Sequence, residues 1–300
     1  MTVLLLGGDG QLGRRLRGTL APLGDLVVTS RGGTLADGTV CEALDLTDLE
    51  SIDALIARVA PDIVVNATAH TAVDRAESEP DLAHRINAQA PARIAAACAA
   101  RGAYFVHYST DYVFDGQGKR PYREDDVTAP LGVYGISKRT GELAIEQSGA
   151  RYAIFRTAWV YDVHGHNFLR TMLRVGAERD ELRVVDDQVG TPTPAWLLAD
   201  VTAQVLRAPV RRTGLWHLAT TGKTSWHGFA TAIFEGAVAR GLLAKAPRVV
   251  PIPTSDYPTP AARPAYSVLD TTAVQRDFGI ALPDWRAALD ATLDRMQPVI

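Results

Sequence analysis

The sequence predicts an α/β chain of Rossmann type, a doubly wound parallel sheet with a smaller C-terminal substrate-binding lobe. Three observations predict it. Apolar, β-rich runs alternate with helical patterns through the first half of the chain. A glycine-rich turn, Gly7-Gly8-Asp9-Gly10-Gln11-Leu12-Gly13, joins the first run to the first helical pattern. Strand-like segments such as Asp62-Ile63-Val64-Val65 are apolar without alternation, as burial on both faces of a parallel sheet requires.

The β-rich runs fall at residues 3–6, 26–29, 63–65, 104–108 and 152–155, and the helical patterns between them at 11–20, 49–59, 82–101 and 134–147. Past residue 158 the pattern is less regular. A helix is expected over 167–178, a strand over 182–185, a helix over 196–207 and a strand near 213–218. Ser225 can cap a helix reaching about residue 240, a proline-rich connector covers 251–264, and Asp284-Trp285 opens a final amphipathic helix. These elements divide into a dinucleotide-binding Rossmann domain, residues 1–158 plus parts of about 181–219, and a substrate-binding lobe, 159–180 and 220–300.

Composition narrows the class of partner. The 300 residues are 47% hydrophobic and 22% charged with a net charge of -3, which leaves no basic footprint for nucleic acid or an anionic membrane. No apolar run approaches the ~20 residues a membrane helix needs, and Val3–Leu6 is too short for a signal-peptide core. A cytoplasmic protein with a small-molecule partner is expected. Cys41 and Cys98 form no Cys-x-x-Cys pair and no disulfide framework; Cys98, in an alanine-rich run, reads as a small buried hydrophobe.

The chemistry-bearing residues follow the strand ends, where a doubly wound sheet collects its ligands. Gly7 and Gly10 permit a tight turn and the approach of phosphate to the backbone at a helix N-terminus. At the end of the second strand, where an acid would bind the adenine ribose of NAD, the chain reads Ser30-Arg31, which suits the 2′-phosphate of NADP. NADPH is therefore the expected cofactor, with NADH as the alternative donor. Asp45 is a candidate for contact with adenine, and Asp48 or Thr47 caps the next helix. The small residues of Asn66-Ala67-Thr68-Ala69-His70-Thr71 allow the chain to pass close to a cofactor.

Tyr134 and Lys138 stand four apart, on one face of a helix. An ammonium beside a phenol is expected to lower its pKa from about 10 and to make Tyr134 a proton donor or acceptor. Thr110, in His107-Tyr108-Ser109-Thr110-Asp111-Tyr112, faces that helix and completes a triad able to polarise a carbonyl. Trp159 follows the strand at 152–155 and can flank a sugar. His164-Gly165-His166 has no matching Cys or acidic cluster, so no metal is expected.

Taken together, Gly10-Gln11-Leu12-Gly13, Pro61–Ala67, Thr71–Glu77, Ser109–Gly116, Tyr134–Lys138, Arg156–Tyr161, Asn167-Phe168, Asp187–Thr193, Ser225-Trp226 and Arg263-Pro264 resemble the extended short-chain dehydrogenase/reductases, and more closely the dTDP-4-dehydrorhamnose reductases. Ser-Thr-Asp-Tyr-Val-Phe-Asp-Gly and Asp-Gln-Val-Gly-Thr-Pro-Thr carry most of the specificity, since Tyr-x-x-x-Lys marks only the superfamily. The resemblance implies Tyr134 as proton donor, Lys138 as the residue that holds the nicotinamide ribose, and Thr110 as a bond to the C4 oxygen. It implies cofactor contacts from Gly10, Gln11, Leu12, Asp45, Leu46, Ala69, His70, Thr71 and Tyr108. Substrate contacts are implied from Asp111, Trp159, Asn167 and Arg263.

The implied reaction is hydride transfer from NADPH to the C4 ketone of dTDP-4-dehydro-β-L-rhamnose. Related dehydratases place Asp-Glu after the active-site Thr; this chain has Asp111-Tyr112, which disfavours elimination. An epimerase and a non-catalytic NADP-binding regulatory subunit are the remaining alternatives, and the intact Thr110, Tyr134 and Lys138 speak against the latter. Some members dimerise through magnesium held by glutamates at the places that read Arg15 and Trp196 here, so a monomer or weak homodimer is expected.

Overall fold

The structure is a computed structural model that describes residues 1–296. Strand β1 (Thr2–Leu6) leads through the glycine turn into α1 (Gln11–Leu20), β2 (Asp25–Ser30), the two-residue β3 (Glu42–Ala43), α2 (Leu49–Val59) and β4 (Ile63–Asn66). Short helices α3 (Val73–Ser78) and α4 (Pro80–His84) continue through a π-helical turn at Arg85–Gln89 into α5 (Ala90–Arg101). Then come β5 (Tyr104–Thr110), α6 (Val133–Gln147), β6 (Arg151–Thr157), β7 (Val160–Tyr161), α7 (Phe168–Glu178) and β8 (Glu181–Val185). The remaining elements are β9 (Val189–Gly190), β10 (Thr193–Pro194), α8 (Ala195–Arg207), β11 (Gly214–His217), β12 (Thr224–Ser225), α9 (Trp226–Ala239), β13 (Arg248–Ile252), α10 (Thr272–Phe278) and α11 (Trp285–Leu293).

The main sheet has seven strands in the order β11-β6-β5-β4-β1-β2-β3, and every neighbouring pair is parallel. The chain winds outward from β1 in one direction, then returns to β4 and winds in the other. The crevice beyond the carboxyl ends of β1 and β4 is therefore the topological switch point.

Burial explains why β1 is apolar without a break. Val3 and Leu5 point into a core with Leu16 and Leu20 of α1 and Leu198, Val201 and Val205 of α8. Leu4 and Leu6 point the other way, against Ile52 and Ile56 of α2 and Ile94 and Cys98 of α5. All four strand residues are fully buried, so neither face tolerates a polar side chain.

A second core forms from Tyr161, Leu169 of α7, Phe229 and Ile233 of α9, and Leu289 and Leu293 of α11. Here the structure differs from the expected division. Strand β8 pairs in parallel with β13 rather than joining the main sheet, and Leu182 and Val184 pack on Ala230 and Phe234 of α9. Conversely, Val274 of α10, with Ile280 and Leu282, joins the core under the main sheet. The chain thus crosses between the two bodies more often than composition reveals. The expected connector also contains β13, where Pro251 sits on an edge strand and gives up no central ladder bond. The substrate-lobe span ends at residue 300, and residues 297–300 lie outside the described residues. No described helix is long and apolar enough to cross a membrane.

Candidate active site

A cleft of about 760 Å³ opens at the switch point. Its floor is the turn after β1, built so that backbone can approach a ligand. Gly7 adopts φ +85°, and a Cβ there would meet the Thr68 methyl at 2.5 Å; a Cβ on Gly13 would overlap the Gly7 carbonyl. Helix α1 begins at Gly10 with no side chain capping its first amides, which leaves them free for an anion. Gly7, Gly10, Gln11 and Leu12 line this part of the cleft. The cradle and the uncapped amides fit a dinucleotide pyrophosphate.

Ser30, Arg31, Asp45 and Leu46 line the next part. Ser30 is buried and its hydroxyl donates to the Thr34 carbonyl at 3.0 Å, while Arg31 is exposed. Asp45 accepts the Thr47 amide and hydroxyl, both at 2.9 Å. Those bonds, with the nearby Arg31 cation, hold its carboxyl below the ordinary range. Ala67, Ala69 and Thr71 line the cleft beyond β4. His70 does not. Asn87 brackets its backbone, accepting from its N–H at 2.8 Å and donating to its carbonyl at 3.0 Å, and its ring turns toward Glu79 at 3.4 Å.

Tyr108, Thr110, Asp111, Tyr134, Lys138 and Trp159 line the opposite wall. Gly135 lets the first turn of α6 close on the 3₁₀ turn at Asp111–Val113, and Glu77 accepts the Val133 N–H at 2.9 Å at the start of the helix. Tyr134 meets Tyr112 edge-on, with ring centroids 5.6 Å apart. Lys138 is fully buried and its Nζ donates to the Tyr108 carbonyl at 2.7 Å, with His107 Nε2 at 3.1 Å.

The expected lowering of the Tyr134 phenol is corrected by this geometry. Burial pushes the phenol up to about 12, a rise that the Thr110 hydroxyl partly offsets. The ammonium is spent on the Tyr108 carbonyl, and burial brings Lys138 itself down to about 8 against the opposing charge of Glu142. Thr110 donates to Asp111 at 3.0 Å; the other Asp111 oxygen is buried without a partner, and burial pushes this carboxyl up to about 6.

Trp159 holds φ +47°, and its indole stacks on that of Trp226 at 3.6 Å and 5°, both rings lining the cleft. Two other expected substrate residues lie outside the lining. Asn167 caps α7 by accepting the Arg170 N–H at 3.0 Å, and its amide donates to Gln11 at 2.7 Å. Arg263 pairs with Asp74 at 2.8 Å, leaving its buried Nη1 without a partner.

Sequence reasoning missed Asn87, whose amide also donates to Ser137 at 3.1 Å from inside the π-helical turn, and it gave Trp226 no place in the cleft. A lone Asn amid an apolar helical pattern was the available signal. At the two places of the expected substitutions, Arg15 forks onto Asp162 at 2.7 and 2.5 Å, and Trp196 donates to Thr292 at 2.9 Å under the Arg295 guanidinium. Among the described residues no three His, Cys, Asp or Glu are placed to hold a metal.

Residues 1–298 match a family model described as the RmlD substrate binding domain. The chain is 44% identical to a dTDP-4-dehydrorhamnose reductase of Shigella flexneri over 299 residues, covering 99% of this chain and 98% of that protein. It is 46% identical to one of Burkholderia thailandensis over 298 residues, covering 96% and 97%. Among solved structures, a dTDP-4-dehydrorhamnose reductase of Bacillus anthracis in complex with NADP superposes with a TM-score of 0.89 at 32% identity, covering 98% of this chain and 99% of that one. A Clostridium acetobutylicum counterpart gives the same TM-score and coverage at 37% identity.

Proposed function

This chain belongs to the family of dTDP-4-dehydrorhamnose reductases, and on that premise we propose that it reduces the C4 ketone of dTDP-4-dehydro-β-L-rhamnose to dTDP-β-L-rhamnose with NADPH. One observation carries the assignment to this cleft: Thr110, Tyr134 and Lys138 line the same cavity as the Gly7–Gly13 cradle, so a hydride donor and a carbonyl can meet between them.

The cradle would hold NADPH, with Ser30 and Arg31 the residues that would take its 2′-phosphate, and bound there it would supply the hydride. The chain handles the proton and the geometry. Tyr134 gives its phenolic proton to the C4 oxygen as the carbon is reduced, which avoids a free alkoxide. A phenol held near 12 is fully protonated at neutral pH, the state a donor needs. The Thr110 hydroxyl lies on the same oxygen and polarises it. Lys138, one turn along α6 from Tyr134, would hold the nicotinamide ribose. Asp111 and Trp159, both in the cleft lining, orient the deoxysugar. The enzyme works in the cytoplasm as a monomer or weak homodimer, with the dinucleotide domain and sugar lobe sharing the cleft.

The test is NADPH oxidation by the purified protein, with the keto sugar made in situ by an epimerase. Formation of dTDP-rhamnose is the expected result; bound NADPH without turnover would overturn the reading.

A further inference from the structure

His107 is fully buried on β5, one residue before Tyr108, and the reduction just described does not use it. Its Nε2 lies 3.1 Å from Lys138 Nζ and its Nδ1 lies 3.3 Å from the side-chain nitrogen of Asn66. The Asn66 amide is oriented by its oxygen, which accepts both the backbone N–H of Thr68 at 3.1 Å and the Thr68 hydroxyl. Its nitrogen therefore faces the ring. An amide nitrogen only donates, so Nδ1 must accept, and a neutral imidazole that accepts at Nδ1 carries its proton on Nε2. That proton points at Lys138 Nζ. A neutral amine has a lone pair to receive it; an ammonium has none. The chain from Thr68 through Asn66 and His107 to Lys138 is thus fully matched when Lys138 is neutral, and holds one donor too many when Lys138 is charged.

We propose that Asn66 and His107 are positioning residues that set the proton count of Lys138, and that the His107 ring changes tautomer, not charge, as Lys138 gains its third proton. The balance is one proton. With Lys138 neutral there are two protons on Nζ and one on Nε2; with Lys138 charged there are three on Nζ and one on Nδ1. The inference rests on Lys138 serving the reduction, yet the ring reports it without turnover.

The other groups around the pair are accounted for. Glu142, one turn along α6, is held by Arg156 at 2.8 Å and Arg139 at 2.9 Å. The Tyr108 phenol turns away to Thr202 at 2.6 Å, and Tyr134 and Asp111 lie toward the cleft. Burial, reinforced by the Lys138 charge, holds the His107 imidazolium well below the ordinary histidine range, so the ring stays neutral.

The experiment is two-bond ¹H–¹⁵N correlation spectroscopy of the full-length protein labelled in histidine, from pH about 6 to about 10, a window that brackets the value of about 8 to which burial brings Lys138 and ends near the ordinary lysine and tyrosine values. His107 is assigned by its absence in His107→Phe. An Nε2–H tautomer at the alkaline end that becomes Nδ1–H on acidification, with no imidazolium, is the expected result. A single tautomer throughout, or an imidazolium, overturns the proposal. Two further variants read the same coupling. Lys138→Met should hold the Nε2–H tautomer at every pH. Asn66→Asp, whose carboxylate accepts from Nδ1–H, should move the tautomer midpoint up by about one unit, a tenfold change in proton affinity. Persistent switching in the first variant, or an unmoved midpoint in the second, also overturns it.

Discussion

Gly135 lies so close to Tyr112 that a Cβ on it would overlap the Tyr112 carbonyl oxygen and come within 2.9 Å of the Pro130 side chain. The neighbour is backbone, so it yields only by moving the whole 3₁₀ turn that follows Thr110. The contact sets the distance between the Tyr134 helix and the Thr110 strand. Gly135→Ala should cost about 1–3 kcal/mol of stability, as overpacking does. It should also lower kcat by about tenfold or more, because the donor phenol is displaced from its partner. Chemical denaturation and steady-state NADPH oxidation check the two arms separately; unchanged kcat in a destabilised variant would show that the turn adjusts without moving Tyr134.

Tyr134→Phe removes the donor hydroxyl and leaves the ring against Tyr112. Turnover should fall about 10²–10⁴-fold, the range of a positioned general acid, while NADPH binding by fluorescence titration stays near wild type. Wild-type turnover in this variant would remove Tyr134 from the role proposed.

Arg31 is exposed in the cleft lining, close enough to Asp45 for its charge to act on that carboxyl. Arg31→Ala should raise the KM for NADPH by about tenfold, equivalent to about 1.4 kcal/mol, and leave that for NADH near its starting value. Parallel kinetics with the two cofactors check it. Equal changes would mean that the guanidinium does not meet the 2′-phosphate.

Asp111 makes stability depend on pH with a definite sign. Its folded-state carboxyl is raised from 3.8 to about 6 by burial, so folding favours the protonated form. The group's contribution is therefore fully present below pH 3.8 and lost as pH rises through about 6. A shift of this size corresponds to about 3 kcal/mol. Asp111→Asn should flatten that part of the stability profile, gaining on wild type at pH 7 relative to pH 4. Urea denaturation at the two pH values checks it; parallel profiles would place the carboxyl in a more polar setting.

How much of this was legible beforehand varies with the range of the interactions. Helix α1 was readable at both ends, because a glycine turn and a helical apolar pattern are local signals. The cradle residues fell on the cleft for the same reason, since chain order alone puts the first strand-to-helix turn at the switch point. The side chains of His70, Asn167 and Arg263 were not legible. Each is claimed by a partner set by the fold, respectively Glu79, Gln11 and Asp74, and Arg263 meets an aspartate 189 residues away. The stack of Trp159 on Trp226 likewise joins two segments that only tertiary structure brings together. Strand β3 escaped because two residues, Glu42 and Ala43, carry no apolar run, and their pairing with Thr29 and Ser30 supplies the order.

The fork from Arg15 to Asp162 bears on how the molecule can breathe. Asp162 is fully buried, and the loop it occupies also receives the Gln11–Asn167 bond, so α1 and the start of α7 are pinned together along one rim of the cleft. Stranding that carboxylate would cost about 3–5 kcal/mol. Trp159 lies three residues before Asp162 and stacks on Trp226, so the same anchored segment carries the indole pair that lines the cleft.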